Sequence, residues 1–214
     1  QQLYMTTFGI FGSPVGAMAT YVFLFIIFGA FIEKCKTGLL IQRAGLKLTG
    51  NSPGGPAKVA VVTSASFGTI SGSALANVMA TGSVTIPLMK RIGFRREDAG
   101  GIEAAASSGE QLTPPIMGAV AFVMADITGI PYADIIVAAA VPALLFYVSL
   151  FVAIDLTARR DNMQGVPAEM MPKKGEILQL LHMVLPIVTL VAALVIGFSP
   201  MMAALVGIAT AIVV

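Results

Sequence analysis

Two stretches of this chain carry small oxygen-bearing residues at spacings that suit ion binding. In the first, Ser71, Gly72 and Ser73 interrupt an apolar run, and Asn77 and Thr81 follow Ser73 at intervals of four. Residues four apart share a helix face, so this reads as a polar stripe below a helix-breaking tripeptide. In the second, Ser107, Ser108, Gly109 and Glu110 lead into Gln111, Leu112, Thr113, Pro114 and Pro115. Two prolines remove two backbone donors and disfavour helix just before them. Freed carbonyls and hydroxyls suit a hard cation. Ser71, Ser73, Asn77 and Gly109 are the candidate ligands for Na+, with Gly72, Ser107, Ser108, Glu110 and Thr113 completing the candidate region. A helix beginning after Ser73 would present its N-terminus to an anionic group.

Glu103 and Glu110 are carboxylates in otherwise apolar surroundings, which by default is a functional hypothesis. Glu110 can coordinate a cation or carry a proton; a water-exposed cavity wall and a position nearer the membrane interface are the other readings. Ser66, Thr81, Ser83 and Thr85 read as small residues that let helices pack closely. One cysteine, Cys35, and one histidine, His182, leave no intrachain disulfide and no multi-histidine metal site. An intramembrane hydrolase built on Ser71 or Ser73 with His182 is disfavoured. Gly68-Thr69-Ile70-Ser71-Gly72 has one residue too many for a Gly-x-Ser-Gly motif, and His182 sits near a helix end. A channel or purely structural subunit is a further alternative.

The elements that must position these residues follow from composition. Hydrophobic residues make up 57% and charged residues 11% of 214, with a mean hydropathy of +0.89. Soluble domains carry about 25% charged residues. The expectation is an all-α polytopic membrane protein, with no composition that points to nucleic acid. Pro14 suits a first helical residue, and Val15–Ile32 is long enough to cross a bilayer core of roughly 30 Å. Residues 37–49 place Arg43 and Lys47 on one face, as in a short interfacial helix. Residues 57–70 and 74–89 read as two arms of roughly 21 to 24 Å each, past the midplane but short of a crossing. Residues 98–128 read as one span broken at 109–115, with helix resuming at Ile116. Spans 135–154 and 177–196 follow, and a last one begins at Met201. The division is 1–56 as scaffold span and arm helix, 57–133 as transport-domain portion, and 134–214 as further spans.

Charge placement selects the topology. If 57–90 enters and leaves the membrane by one face, all 13 Lys and Arg residues fall on one side, including Lys58, Lys90, Arg91, Arg95, Arg96, Lys173 and Lys174. If residues 59–89 cross as one helix, the 90–98 basic cluster moves outside and the acidic 126–134 loop moves inside, against the positive-inside rule. A re-entrant hairpin is therefore expected.

Gly55–Val62, Phe67–Ala74, Ala76-Asn77 and Ile86–Lys90 resemble the large membrane subunit of tripartite ATP-independent periplasmic (TRAP) transporters. They are most similar to the fused permeases that work with TAXI-type binding proteins. Glu103–Ser107 and Pro114–Ala119 extend the likeness, which covers about residues 9–160. The resemblance implies an elevator-type transporter half in a bacterial or archaeal inner membrane. It implies sodium-coupled import of a small organic anion, a periplasmic substrate-binding protein and a small membrane subunit, and no cofactor besides Na+ as coupling ion. By position, it places the cation and substrate region at Ser71, Gly72, Ser73 and Asn77 and at Ser107 to Gly109. Where the family commonly reads Gly-Gly-Gln and Met-Pro-Pro, this chain has Gly109-Glu110-Gln111 and Thr113-Pro114-Pro115. Lacking an initial Met and ending inside an apolar run, the chain is expected to be a fragment of a longer polypeptide.

Overall fold

A glycine with φ +65°, Gly54, turns the chain into a helix whose first turn holds Pro56. Proline is tolerated there because its missing N–H would lack a helical acceptor anyway. The computed structural model describes residues 12, 15, 16, 18–172 and 175–214, and that helix is one of nine α-helices bounded among the described residues. Pro14, the remainder of 1–13, and Lys173 and Lys174 lie outside the described residues. After a π-helical turn at Met18–Val22 come α1 (Phe23–Lys34), α2 (Thr37–Thr49), α3 (Gly55–Gly68), α4 (Ala74–Arg91) and α5 (Arg96–Ser108). A 3-10 turn at Gly109–Leu112 leads to α6 (Ala119–Thr128) and α7 (Tyr132–Arg160). Further 3-10 turns at Ala168–Met170 and Leu178–Val184 precede α8 (Leu185–Ile196) and α9 (Pro200–Val213). No strand occurs among the described residues.

Local chemistry sets several boundaries. Ser73 and Ser199 cap α4 and α9 by accepting from Ala76 N–H and Met202 N–H, satisfying donors that a helix start leaves free. Lys90 and Arg91 close α4 and Glu97 and Asp98 open α5, each matching the helix dipole.

The helices pack as two bodies with one shared seam. Ala57, Ala60 and Val61 of α3, Met89 of α4, Ala99 and Ala106 of α5 and Ile154 of α7 share one core. Phe25, Phe28 and Ile32 of α1 form the other with α6, the start of α7, α8 and α9. Ile70, Ile116 and Met117 belong to this second core. So the turn after α3 and the segment after the 3-10 turn both leave the first body to pack against the second.

Tyr132–Arg160 and Leu178–Ile196 are the two helical runs long and apolar enough to cross a membrane among the described residues. Phe23–Ile32, Ala119–Thr128 and Pro200–Val213 are shorter apolar helices. On α7, Val137, Val141, Leu144, Leu145, Val148, Val152 and Leu156 are all exposed. A contiguous apolar face of that kind has no place in water and suits lipid.

Three expectations shift. Helix resumes at Ala119 rather than Ile116, because Met117 adopts a positive φ of 56° that a right-handed helix excludes. Residues 178–184 are 3-10 rather than α. The span expected at 135–154 is longer, Tyr132–Arg160, and its Asp155 forms a 2.5 Å ion pair with Lys58, the side chains 24% and 3% exposed. Lys58 also donates to Ser52 Oγ, and Arg159 reinforces Asp155.

Candidate functional site

The α3–α4 hairpin turns at Ser71–Ser73, and the α5–α6 interruption runs from Gly109 to Gly118. These two non-helical segments meet. The Ser73 N–H donates to Glu110 Oε1 at 2.8 Å, and Ser71 Oγ shares the same donor at 3.3 Å. A Cβ on Gly72 would lie 2.1 Å from the Met117 carbonyl oxygen, and one on Gly68 would lie 2.9 Å from Thr113 Cβ. Gly72 has φ +65°, so glycine is required both for conformation and for close approach.

The unwound backbone between the prolines and α6 finds specific partners, as buried backbone groups must. Tyr132 Oη lies 2.8 and 2.7 Å from the Pro115 and Ile116 carbonyls. Gly118 N–H donates to the Gln111 carbonyl at 3.0 Å, and Met117 N–H to Thr113 O at 3.2 Å. Thr113 Oγ1 donates to Gly109 O at 2.9 Å and lies 3.1 Å from Tyr147 Oη. Gly109 is pressed against α7: a Cβ there would sit 2.4 Å from Phe146 Cε1.

Asn77, buried at the second turn of α4, donates through Nδ2 to the Ser64 carbonyl at 3.1 Å. Its Oδ1 faces Thr81 Oγ1 at 3.1 Å. Thr81 and Thr85 hydroxyls in turn bond the two oxygens of Glu103, which is fully buried. The packing role read for Thr81 and Thr85 is therefore incomplete; each is the hydrogen-bond partner of a carboxyl.

Three buried side-chain oxygens have no hydrogen-bond partner among the described residues: Ser64 Oγ, Ser107 Oγ and Glu110 Oε2. They belong to α3, the last turn of α5 and the 3-10 turn that follows it. Each is an oxygen of the kind that hard cations accept. Ser71, Gly72 and Ser73 also line a cavity of about 400 Å³ with Gln111, Met117 and Phe25, and Ser71 and Ser73 border a second of about 270 Å³ with Phe67 and Gly29.

Most predicted positions converge, and some do not. Ser71, Gly72, Ser73, Glu110 and Thr113 lie along the contact between the two segments, with Asn77 below. Ser107 is buried one turn before Glu110. Ser108 is exposed and donates to Ala104 O at 2.7 Å on its own helix, so it turns away from this contact. At the start of α4, read as suited to an anionic group, the Ser73 N–H bonds the Glu110 carboxyl. His182 is exposed and bonds to neither Ser71 nor Ser73, leaving no hydrolase pair. Tyr132 and Tyr147 escape sequence reading because both arrive from α7, a helix that no local pattern places beside the break.

A family model described as "Tripartite ATP-independent periplasmic transporter, DctM component" matches residues 1–214. Over 143 residues the chain is 32% identical to the C4-dicarboxylate TRAP transporter large permease protein DctM of Vibrio cholerae, covering 67% of this chain and 31% of that protein. The protein of the same description from Pseudomonas aeruginosa is 30% identical over 143 residues, 67% of this chain and 33% of its own length. An uncharacterized protein, y4mL, of Sinorhizobium fredii is 36% identical over 108 residues, half of this chain and 25% of its own. The chain thus spans about a quarter to a third of the curated relatives it matches.

Proposed function

The chain belongs to the DctM family of tripartite ATP-independent periplasmic transporters, and on that premise we propose that it is part of a sodium-coupled permease importing a small organic anion of the carboxylate class. A periplasmic binding protein delivers the anion, and a small membrane subunit completes the assembly in the inner membrane of a prokaryote. In this reading α3 and α4 form a re-entrant hairpin within a 57–133 transport portion that moves as an elevator.

One observation carries the reading. Two non-helical segments, from a hairpin and a broken helix, touch through Ser73 and Glu110, and the second oxygen of that same Glu110 is buried without a hydrogen-bond partner among the described residues. Irregular backbone at membrane depth is tolerated where it is buried in protein or lines a cavity, and discontinuous helices build cation sites in secondary transporters. That carboxylate oxygen supports sodium. A sodium ion held by Glu110 Oε2 with Ser107 or Ser64 cancels the negative charge beside the hairpin turn. An anionic substrate then enters the cavity lined by Ser71 and Ser73 without repulsion, which couples the two. The cavity volume of about 400 Å³ lies in the range of small-molecule sites.

The test is uptake by full-length permease, reconstituted with its binding protein, under an inward sodium gradient. Uptake that continues after the gradient is collapsed rejects the reading.

A further inference from the structure

Glu103 lies in a different setting from Glu110. Its side chain is fully buried on α5. Among the described residues it bonds only Thr81 Oγ1 at Oε1 and Thr85 Oγ1 at Oε2, the latter at 2.5 Å. No helix N-terminus and no cation reaches it. The charged and titratable groups around it are engaged or distant in role. On α3, Lys58 is bonded to Asp155 and Ser52. On α4, Lys90 and Arg91 are exposed at the far end. On α5 itself, Arg96 and Glu97 are exposed at its start and Asp98 is paired with Arg95. The 3-10 turn contributes Glu110, a second acid. On α7, Arg159 is paired with Asp155, Arg160 with Asp161, and Tyr147 with Thr113.

Counting protons sharpens the point. Thr81 Oγ1 has one hydrogen and three oxygen neighbours: Asn77 O, Asn77 Oδ1 and Glu103 Oε1. The Asn77 amide cannot turn to supply another donor, because its Nδ2 is committed to the Ser64 carbonyl. With an ionised Glu103, Thr81 must serve the carboxylate and leave Asn77 Oδ1 facing a lone pair. One added proton resolves this. Glu103 Oε1–H donates to Thr81, Thr81 donates to Asn77 Oδ1, and Thr85 donates to Glu103 Oε2. A neutral acid also avoids a buried charge without a counter-charge, which folded proteins exclude.

We infer that Glu103 is a proton-binding site, its carboxyl held neutral between α4 and α5 by Thr81 and Thr85. The inference stands apart from the sodium reading, since it needs neither gradient nor substrate.

Infrared spectroscopy of purified full-length permease at neutral pH tests it. A carbonyl band of a protonated carboxyl, shifted by deuterium exchange, is expected in the wild type. It is expected to vanish in Glu103→Gln and to persist in Glu110→Gln. A band unchanged by Glu103→Gln, or absent from the wild type, overturns the inference. So does a band abolished by adding sodium chloride, which would mean a cation site. Thr81→Val leaves the acid in place but removes its acceptor, so the band is expected to move to higher frequency. No movement overturns the assignment even if Glu103→Gln fails to fold.

Discussion

The N–H of Ser73 donates to Oε1 of Glu110 at 2.8 Å, a single bond that joins the hairpin turn to the interruption after α5. The carboxylate accepts from the residue that caps α4, at the end of the helix where the dipole favours negative charge. Glu110→Gln keeps an acceptor but removes the charge and the anionic ligand. In sodium-driven uptake by the reconstituted permease, the half-saturating sodium concentration is expected to rise, with transport recovering at high sodium. An unchanged sodium dependence would remove Glu110 from the ion site.

Ser73→Ala tests the cap. The Ser73 hydroxyl accepts from Ala76 N–H at 3.4 Å, and losing such a cap costs about 1 kcal/mol. The main-chain bond to Glu110 survives the change. A modest loss in melting temperature and a raised sodium half-saturation are therefore expected, smaller than for Glu110→Gln.

Gly72→Ala is expected to do more harm than its size suggests. A left-handed conformation costs an L-residue roughly 1–2 kcal/mol, and the new Cβ would lie 2.1 Å from the Met117 carbonyl. Backbone must shift on one side. Membrane insertion is expected to persist while uptake is lost, measured by membrane fractionation beside transport.

How much of this was legible from the residues depends on distance along the chain. Ser71-Gly72-Ser73 marks its own turn because glycine and a capping serine act locally, and Pro114-Pro115 marks its own break. The bounds of α2 were readable for the same reason. The Thr81 and Thr85 bonds to Glu103 were not, because their spacing fits helix packing equally well. Nor was the pairing of Lys58 with Asp155 or the capture of two carbonyls by Tyr132. Those partners come from helices whose relative placement no local period encodes.

The Lys58–Asp155 pair predicts an asymmetric mutational response. Removing one partner of a buried pair is costly when it leaves the other charge buried and unpaired; here that charge is Lys58, 3% exposed, whereas Asp155 keeps Arg159. Asp155→Leu alone is expected to lower the melting temperature clearly. Lys58→Met with Asp155→Leu is expected to recover most of it. Equal losses in the single and double variants would show that the pair is not the source.

Gly109→Ala places a methyl 2.4 Å from Phe146 Cε1. Overpacking of that kind costs about 1–3 kcal/mol. Stability is expected to drop in Gly109→Ala and to return in Gly109→Ala with Phe146→Leu, read by thermal denaturation in detergent.

Gly68 lies against the Thr113 side chain and Gly72 against the Met117 carbonyl, so two segments advance in step, each by four residues, with no side chain from the hairpin at either point. Contact this close leaves neither segment free to open alone. Amide hydrogen exchange at 69–73 and at 114–118 should accordingly slow or quicken together, as one cooperative unit.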